Sequence, residues 1–333
     1  MNREPASQAG AADNGGPTND RMLDLVWRRH RQWSLAASTA RRRVDRSRLG
    51  NLLLLVVGAL AGALAAQTWL ADAAAKGFAI AAAVALALAG FIQANALNAE
   101  QLGRWTEARA ASETLKAEVY RYLIRVSPYA GADRAAALEA QLDVVQGRVS
   151  DALLADQQTV TPDSKKVPPI RTFAAYVTDR AEQQAEWHRK GTRDHRRQAN
   201  VLRRWQLAAT AAGAVVSAIA NLDPAWRLSA WTAAATTIAA VIGTHLAAER
   251  HLQIAAAYAD AADRLDRLIA GMEPSTATRA QQAQFVADVE RVLLALVQGW
   301  TDLLTAKPAG PRSQQPPTDK EPAPDETDSE AHD

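Results

Sequence analysis

Two long uncharged stretches set only six residues apart constrain this chain more than any other feature. Residues 49–70 (LGNLLLLVVGALAGALAAQTWL) and 77–97 (GFAIAAAVALALAGFIQANAL) contain no charged side chain. Each reaches the roughly 20 residues that a helix needs to cross a ~30 Å hydrocarbon core. The segment between them holds Asp72 and Lys76, so the pair reads as a transmembrane hairpin with a tight tip. A second pair lies at 205–222 and 227–247, with Asp223 and Pro224 between the two runs. These runs are richer in Ala and Thr, so each gains less on insertion than the Leu-rich first one. Trp205, Trp226 and Trp231 stand at interface positions beside them. Alanine supplies 75 of the 333 residues, and it has the highest helix propensity and a poor strand propensity. The expected fold is an all-α membrane protein. It has two transmembrane helical hairpins, each with long cytoplasmic amphipathic, coiled-coil-like helices.

Arginine and lysine set the orientation. Arg28, Arg29, Arg31, Arg41, Arg42, Arg43, Arg46 and Arg48 precede the first run. Arg189, Lys190, Arg193, Arg196, Arg197, Arg203 and Arg204 precede the third. The short loops carry only Lys76 and, at the margin, Arg227. The positive-inside rule then places both termini and the middle segment in the cytoplasm, in a multi-pass protein of the cell membrane. No cleavable leader is expected, because the first apolar run starts only near residue 49. The net charge of +2 hides an acidic tail: residues 319–333 hold seven acids against Lys320, leaving the rest of the chain at +8. Topology explains those arginines more simply than nucleic acid does, and no nucleic-acid partner is expected. The absence of cysteine excludes disulfides, thiolate metal sites and cysteine nucleophiles.

The two hairpins superpose at an offset of 150 residues, 49–70 onto 199–220 and 77–97 onto 227–247. An alanine-rich amphipathic helix follows each, so duplication is expected. Apolar stripes at coiled-coil spacing run through Leu138, Leu142, Val145, Val149 and Ala152. A second runs through Tyr258, Ala262, Leu265 and Ile269, and a third through Val286, Val289, Leu293, Leu296, Trp300 and Leu303. Such stripes bury themselves against a partner helix, in the same chain or another. The expected layout is a disordered segment 1–20, a first two-transmembrane unit 21–156, a linker 157–169, a second unit 170–306 and a disordered acidic tail 307–333.

No phosphate-binding glycine loop, nucleophile elbow or zinc-protease motif occurs. His245 and Glu249 share a helix face at i and i+4, but an interfacial pair at a helix exit is the plainer reading. No catalytic, cofactor-binding or metal-binding residue is expected, and the chain does not read as an enzyme. Within the spans, Gly58 and Gly62 form a G-x-x-x-G step, and Gly213 with Ser217 a similar small face. Small residues at that spacing let helix backbones approach closely. Gln93, Asn95, Thr232, Thr236, Thr237, Thr244 and His245 lie near span ends, where they either line a water-filled path or bond to backbone.

The segment Tyr176-x3-Arg180-x3-Gln184-x2-Trp187-His188-x-Lys190 resembles the helix that leads into the hairpin of SLATT domains, the SMODS- and SLOG-associating two-transmembrane effector domains. Trp105-x3-Arg109-x3-Glu113-x2-Lys116 is similar to the helix that leaves the hairpin in another subtype. Phe285-Val286 through Glu290 and Trp300 resembles the closing helix. His188 stands where Tyr is commoner. Two tandem units of this kind cover about residues 21–306. The resemblance implies a bacterial conflict-system, antiviral effector that forms pores or perturbs the membrane as a homo-oligomer. Its trigger would be a nucleotide-sensing or nucleotidyltransferase partner protein. The alternative is a non-enzymatic membrane scaffold or signalling adaptor that binds partners through its cytoplasmic helices.

Overall fold

The structure, a computed structural model, describes residues 17–97, 99–150, 166–222 and 228–305. The expected disordered ends, most of the linker, Ala152 and the Asp223–Pro224 turn lie outside the described residues. Helix α1 (Pro17–Ala65) and α2 (Asp72–Ala96) form the first hairpin, followed by α3 (Ala99–Ile124) and α4 (Arg134–Gln146). After residue 166, α5 (Phe173–Tyr176) runs through a π-helical turn (Val177–Glu182) into α6 (Gln183–Ala220). Helix α7 (Ser229–Glu249), α8 (His251–Ala270) and α9 (Arg279–Thr305) follow. No strand occurs among the described residues.

Local chemistry explains the boundaries. The Thr172 side chain caps α5 by accepting from the Ala175 amide at 3.2 Å. At α9, the Thr278 hydroxyl accepts from the Gln281 amide at 3.3 Å, while Gln281 accepts from the Thr278 amide at 2.8 Å. That reciprocal pair is a capping box. Helix α7 ends at Arg250, which takes a left-handed φ of 49° and so breaks the chain before α8.

Helix α1 has 49 residues, about 74 Å at 1.5 Å per residue, more than twice the thickness of a hydrocarbon core. It therefore belongs both to a membrane hairpin and to a layer beyond it. In that outer layer two aromatic-rich cores form. Val26, Trp33, Leu115, Val119, Tyr129 and Leu138 are buried in the first, between α1, α3 and α4. Tyr176, Leu265, Val286 and Val289 are buried in the second, between α5, α8 and α9. Helix α3 joins them, giving Leu115 and Val119 to one and Tyr120 and Ile124 to the other.

Three helical stretches, Arg21–Ala65, Asp72–Ala96 and Ser229–Ala270, are long and apolar enough to cross a membrane. The expected span at 205–222 is not among them. It is helical to Ala220 and packs on α7, but Arg203 and Arg204 leave only 205–220 of that helix uncharged, short of the roughly 20 residues that a span needs. The first span also ends earlier than expected, at Ala65, while α2 starts earlier, at Asp72. Inside the hairpins Ala61, Ala63, Ala82, Ala85, Ala89, Ala234 and Ala239 are buried. Leu53, Val57, Ile80, Val84, Leu88 and Phe91 are exposed. A contiguous exposed apolar belt of this kind marks a surface made for lipid or a partner.

The described parts of the three coiled-coil stripes pack largely within the chain; the side chains of Trp300 and Leu303 lie outside the described residues. Leu138, Leu142, Val145 and Val149 enter the first core. Val286, Val289, Leu293 and Leu265 enter the second, and Tyr258 and Ala262 are buried on the same face of α8.

Candidate functional site

The second core holds a buried ion pair. Arg180 donates to Glu290 twice, Nε to Oε1 at 3.0 Å and an Nη to Oε2 at 2.9 Å. The Tyr176 hydroxyl donates to the same carboxylate at 2.9 Å, and the guanidinium lies 4.4 Å from the centroid of the Tyr120 ring. Arg180 and Glu290 are 2% and 0% exposed. Burial works against the Arg180 charge, but the Glu290 carboxylate outweighs it and holds the guanidinium pKa above its ordinary value. The π-helical turn positions the pair. Its extra residue rephases the helix so that Tyr176, Arg180 and Ala181 all face inward, as π-bulges often do at functional positions. Tyr176 and Arg180 thus meet Glu290, more than 100 residues away in sequence, as one bonded group.

Beside this group lies a cavity of about 420 Å³ walled by α1, α3, α6, α8 and α9. Trp105, Arg109, Glu113, Lys116, Gln184 and Trp187, all resemblance positions, line it together with His30, Arg31, His188 and Tyr258. Glu113 bridges two cations, Arg109 at 3.0 Å and Lys116 at 3.8 Å. Burial raises the Glu113 pKa, but Lys116 and Arg109 turn the net shift downward. Burial lowers that of Lys116, helped by the nearby Arg180 charge. His30 Nδ1 lies 2.8 Å from the Ser112 carbonyl oxygen. A carbonyl can only accept, so Nδ1 carries the proton and Nε2 is left as an acceptor. Burial pulls the His30 pKa down to about 4. His188 is also buried and held at about 4, by burial first and the Arg180 charge second. Neither ring nitrogen of His188 has a hydrogen-bond partner, and Trp187 and Tyr258 flank the ring at 4.9 and 5.2 Å. Lys190 is exposed and outside the cavity wall. Trp300 belongs to α9, but its side chain lies outside the described residues.

Sequence reasoning missed Gly191. A Cβ there would fall 2.7 Å from the Tyr258 ring, so only glycine lets that ring reach the cavity. A glycine inside a long charged helix is itself a signal of close approach.

A second cavity, about 480 Å³, lies between the two hairpins. Gln93, Thr236, Thr237, Thr244 and His245 line it, with Arg48 and Asn51 from α1. The threonines also bond to backbone four residues back: Thr236 to Thr232 at 2.7 Å, Thr237 to Ala233 at 2.8 Å and Thr244 to Ala240 at 2.9 Å. Asn95 and Thr232 bond to backbone without lining the cavity. Asn51 Oδ1 is buried without a partner. Arg48 joins Glu249 at 3.2 Å and so ties the first hairpin to the second; Glu249 pairs with this arginine rather than acting with His245. No cluster of three or more metal-ligating side chains occurs among the described residues.

The small-residue faces divide. A Cβ on Gly58 would lie 3.0 Å from Leu86 of α2, so this glycine permits the hairpin contact. Gly213 plays the same part against Ala235, at 3.3 Å. Gly62 meets nothing within 4 Å, so it does not extend that contact. The Ser217 backbone carbonyl accepts from Asn221 at the hairpin tip, at 3.0 Å.

The fold and its two cavities define an all-α membrane protein whose polar groups gather around the hairpins and in the layer beside them. Residues 176–300 match the family model for SMODS and SLOG-associating 2TM effector domain 1, the first SLATT family. That description is of a two-transmembrane effector domain associated with defence systems, and it supports the SLATT resemblance for the second half of the chain. Residues 31–137 match a different model, that of a protein family of unknown function, DUF4231. No curated protein and no solved structure matches the chain.

Proposed function

We propose that this chain is a membrane effector of a bacterial conflict or antiviral system, acting as an oligomer that opens a polar path through the bilayer. The observation that carries the reading is the cavity between the hairpins. Gln93, three threonines and His245 line it, whereas the outer faces of α1 and α2 expose Leu53, Val57, Ile80, Val84 and Phe91. An ionisable side chain inside the membrane, here His245, marks a pathway by default. The SLATT match over residues 176–300 agrees with an effector role.

In this reading the end of α6 (205–220) is the fourth span, both termini are cytoplasmic, and a nucleotide-linked sensor supplies the trigger. The two halves match different family models, and this reading takes them as related units on the shared order of a long leading helix, a hairpin partner, an exit helix and a closing helix. The chain acts without catalysis. A scaffold that captures partners through free coiled-coil stripes is the weaker reading, because the described parts of those stripes are already largely packed within the chain.

The test is membrane potential, followed with a voltage-sensitive dye in cells expressing the full chain or a chain lacking residues 49–97. Depolarisation by the full chain alone is expected. An unchanged potential with the protein confirmed in the membrane, with and without a co-expressed nucleotide-sensing protein, would overturn the pore.

A further inference from the structure

We propose that the 420 Å³ cavity of the outer layer is a binding site for a small anion that carries a planar heteroaromatic ring. The size lies within the range of small-molecule pockets, and the walls specify two kinds of contact. Arg109 and Lys116 share the one carboxylate, Glu113, so that wall has positive charge to spare. An anion placed there receives charge-assisted hydrogen bonds.

The walls are also aromatic. Trp187 is half-exposed, and Tyr258 and Trp105 are buried. Indole and phenol faces accept flat rings by stacking, at about 1–3 kcal/mol per ring in nucleic-acid complexes.

The third observation is His188. It is buried, it lines the cavity, and both of its ring nitrogens lack a partner. Buried polar atoms are nearly always satisfied, and an exception calls for an explanation. A neutral imidazole offers one donor and one acceptor, which suits the edge of a heterocycle. His30 adds an acceptor through Nε2, since its Nδ1 is committed to Ser112.

The cavity is also well placed to matter. Helices α1 and α6 both wall it and then run on into the hairpins, so a ligand there touches both halves of the chain at once. The inference stands apart from the pore, because binding is read without conductance.

The experiment measures binding to the full chain in detergent micelles by isothermal titration calorimetry. The probes are adenosine 5′-monophosphate and indole-3-acetate, a phosphate and a carboxylate on flat rings. Adenosine and inorganic phosphate each supply half of the chemistry. At least one ring-bearing anion is expected to bind roughly tenfold or more tightly than either half-ligand, a gap of about 1.4 kcal/mol, and which one binds names the anion. Lys116→Gln and Trp187→Ala should each weaken it about tenfold. Trp187 is 48% exposed, so the second variant keeps its fold and guards against a trivial loss. Ring-bearing anions no tighter than the half-ligands would overturn the site, as would affinities unchanged in both variants.

Discussion

Helix α1 obeys opposite packing rules at its two ends. Between Leu23 and Ala37 it buries large side chains, Val26 and Trp33 completely and Leu23 and Trp27 nearly so. Between Leu53 and Ala65 it exposes the large ones, Leu53, Val57 and Leu60, and buries Gly58, Ala61 and Ala63. In the outer layer, water drives aromatic and aliphatic groups inward, at about 25 cal/mol per Å² of apolar surface. Lipid supplies no such drive, so the hairpins hold together by close approach of small residues and by interhelical polar contacts. One continuous helix therefore records where the solvent changes, and the change falls within the arginine-rich segment Arg41–Arg48.

The sharpest way to break the outer layer is to remove half of its buried ion pair. Arg180→Met leaves the Glu290 carboxylate and the Tyr176 hydroxyl without their cation, at an expected cost of about 3–5 kcal/mol. The double variant Arg180→Met with Glu290→Met removes both charges and should recover much of that loss. Thermal unfolding in detergent, followed by circular dichroism, compares the two. A double variant as unstable as the single one would mean that the pair contributes more than mutual neutralisation. Neither change should alter membrane insertion, which rests on the other packing rule.

The second test separates the layers by pH. His188 and His30 have folded pKa values near 4, below the ordinary 6.5. Between those limits the unfolded chain binds protons that the folded chain refuses, so stability rises with pH. The full contribution is present above about pH 6.5 and is lost as pH falls toward 4. A shift of this size corresponds to roughly 3 kcal/mol for each histidine. Midpoints of unfolding measured from pH 7 to 4 should fall steadily. His188→Phe, which removes the titration and forfeits no hydrogen bond, should flatten the slope by its own share. A slope unchanged in that variant would assign the acid sensitivity elsewhere.

The contrast between the layers also explains what was legible in the sequence. Spans are readable because their signal is local, an unbroken uncharged run, and the structure ends them within a few residues of the expected limits. The run at 205–222 is expected to gain less on insertion than the first, and its helix leaves only 205–220 uncharged after Arg203 and Arg204. Six of the resemblance positions, Trp105, Arg109, Glu113, Lys116, Gln184 and Trp187, share one cavity, whose other walls, His188 apart, no motif names. The convergence itself was invisible. Glu290 and Arg180 lie 110 residues apart, and a helical stripe states which face is buried but never against what. The coiled-coil spacing suggested partner helices in general, and topology supplied them from the same chain.

The smallest expected effects come from the two glycines that the sequence presents as one motif. A Cβ on Gly58 would press on Leu86 of α2 at 3.0 Å, so Leu86 would have to give way, whereas Gly62 meets nothing within 4 Å. Gly58→Leu should therefore loosen the first hairpin by about 1–3 kcal/mol, as overpacking does. Gly62→Leu should leave the monomer unchanged and even favour its helix, since glycine costs up to about 1 kcal/mol against Ala within a helix. Thermal unfolding of each variant reads the first difference. Chemical crosslinking in membranes reads the second, because a bare glycine on the lipid side matters only when a second chain sits there. If Gly62→Leu abolishes crosslinked oligomers while leaving the monomer's midpoint unmoved, the motif divides its work, with Gly58 closing the hairpin and Gly62 meeting the neighbouring chain. If oligomers persist, assembly runs through another face, and the exposed side of α2 around Ile80, Val84 and Phe91 becomes the next surface to alter.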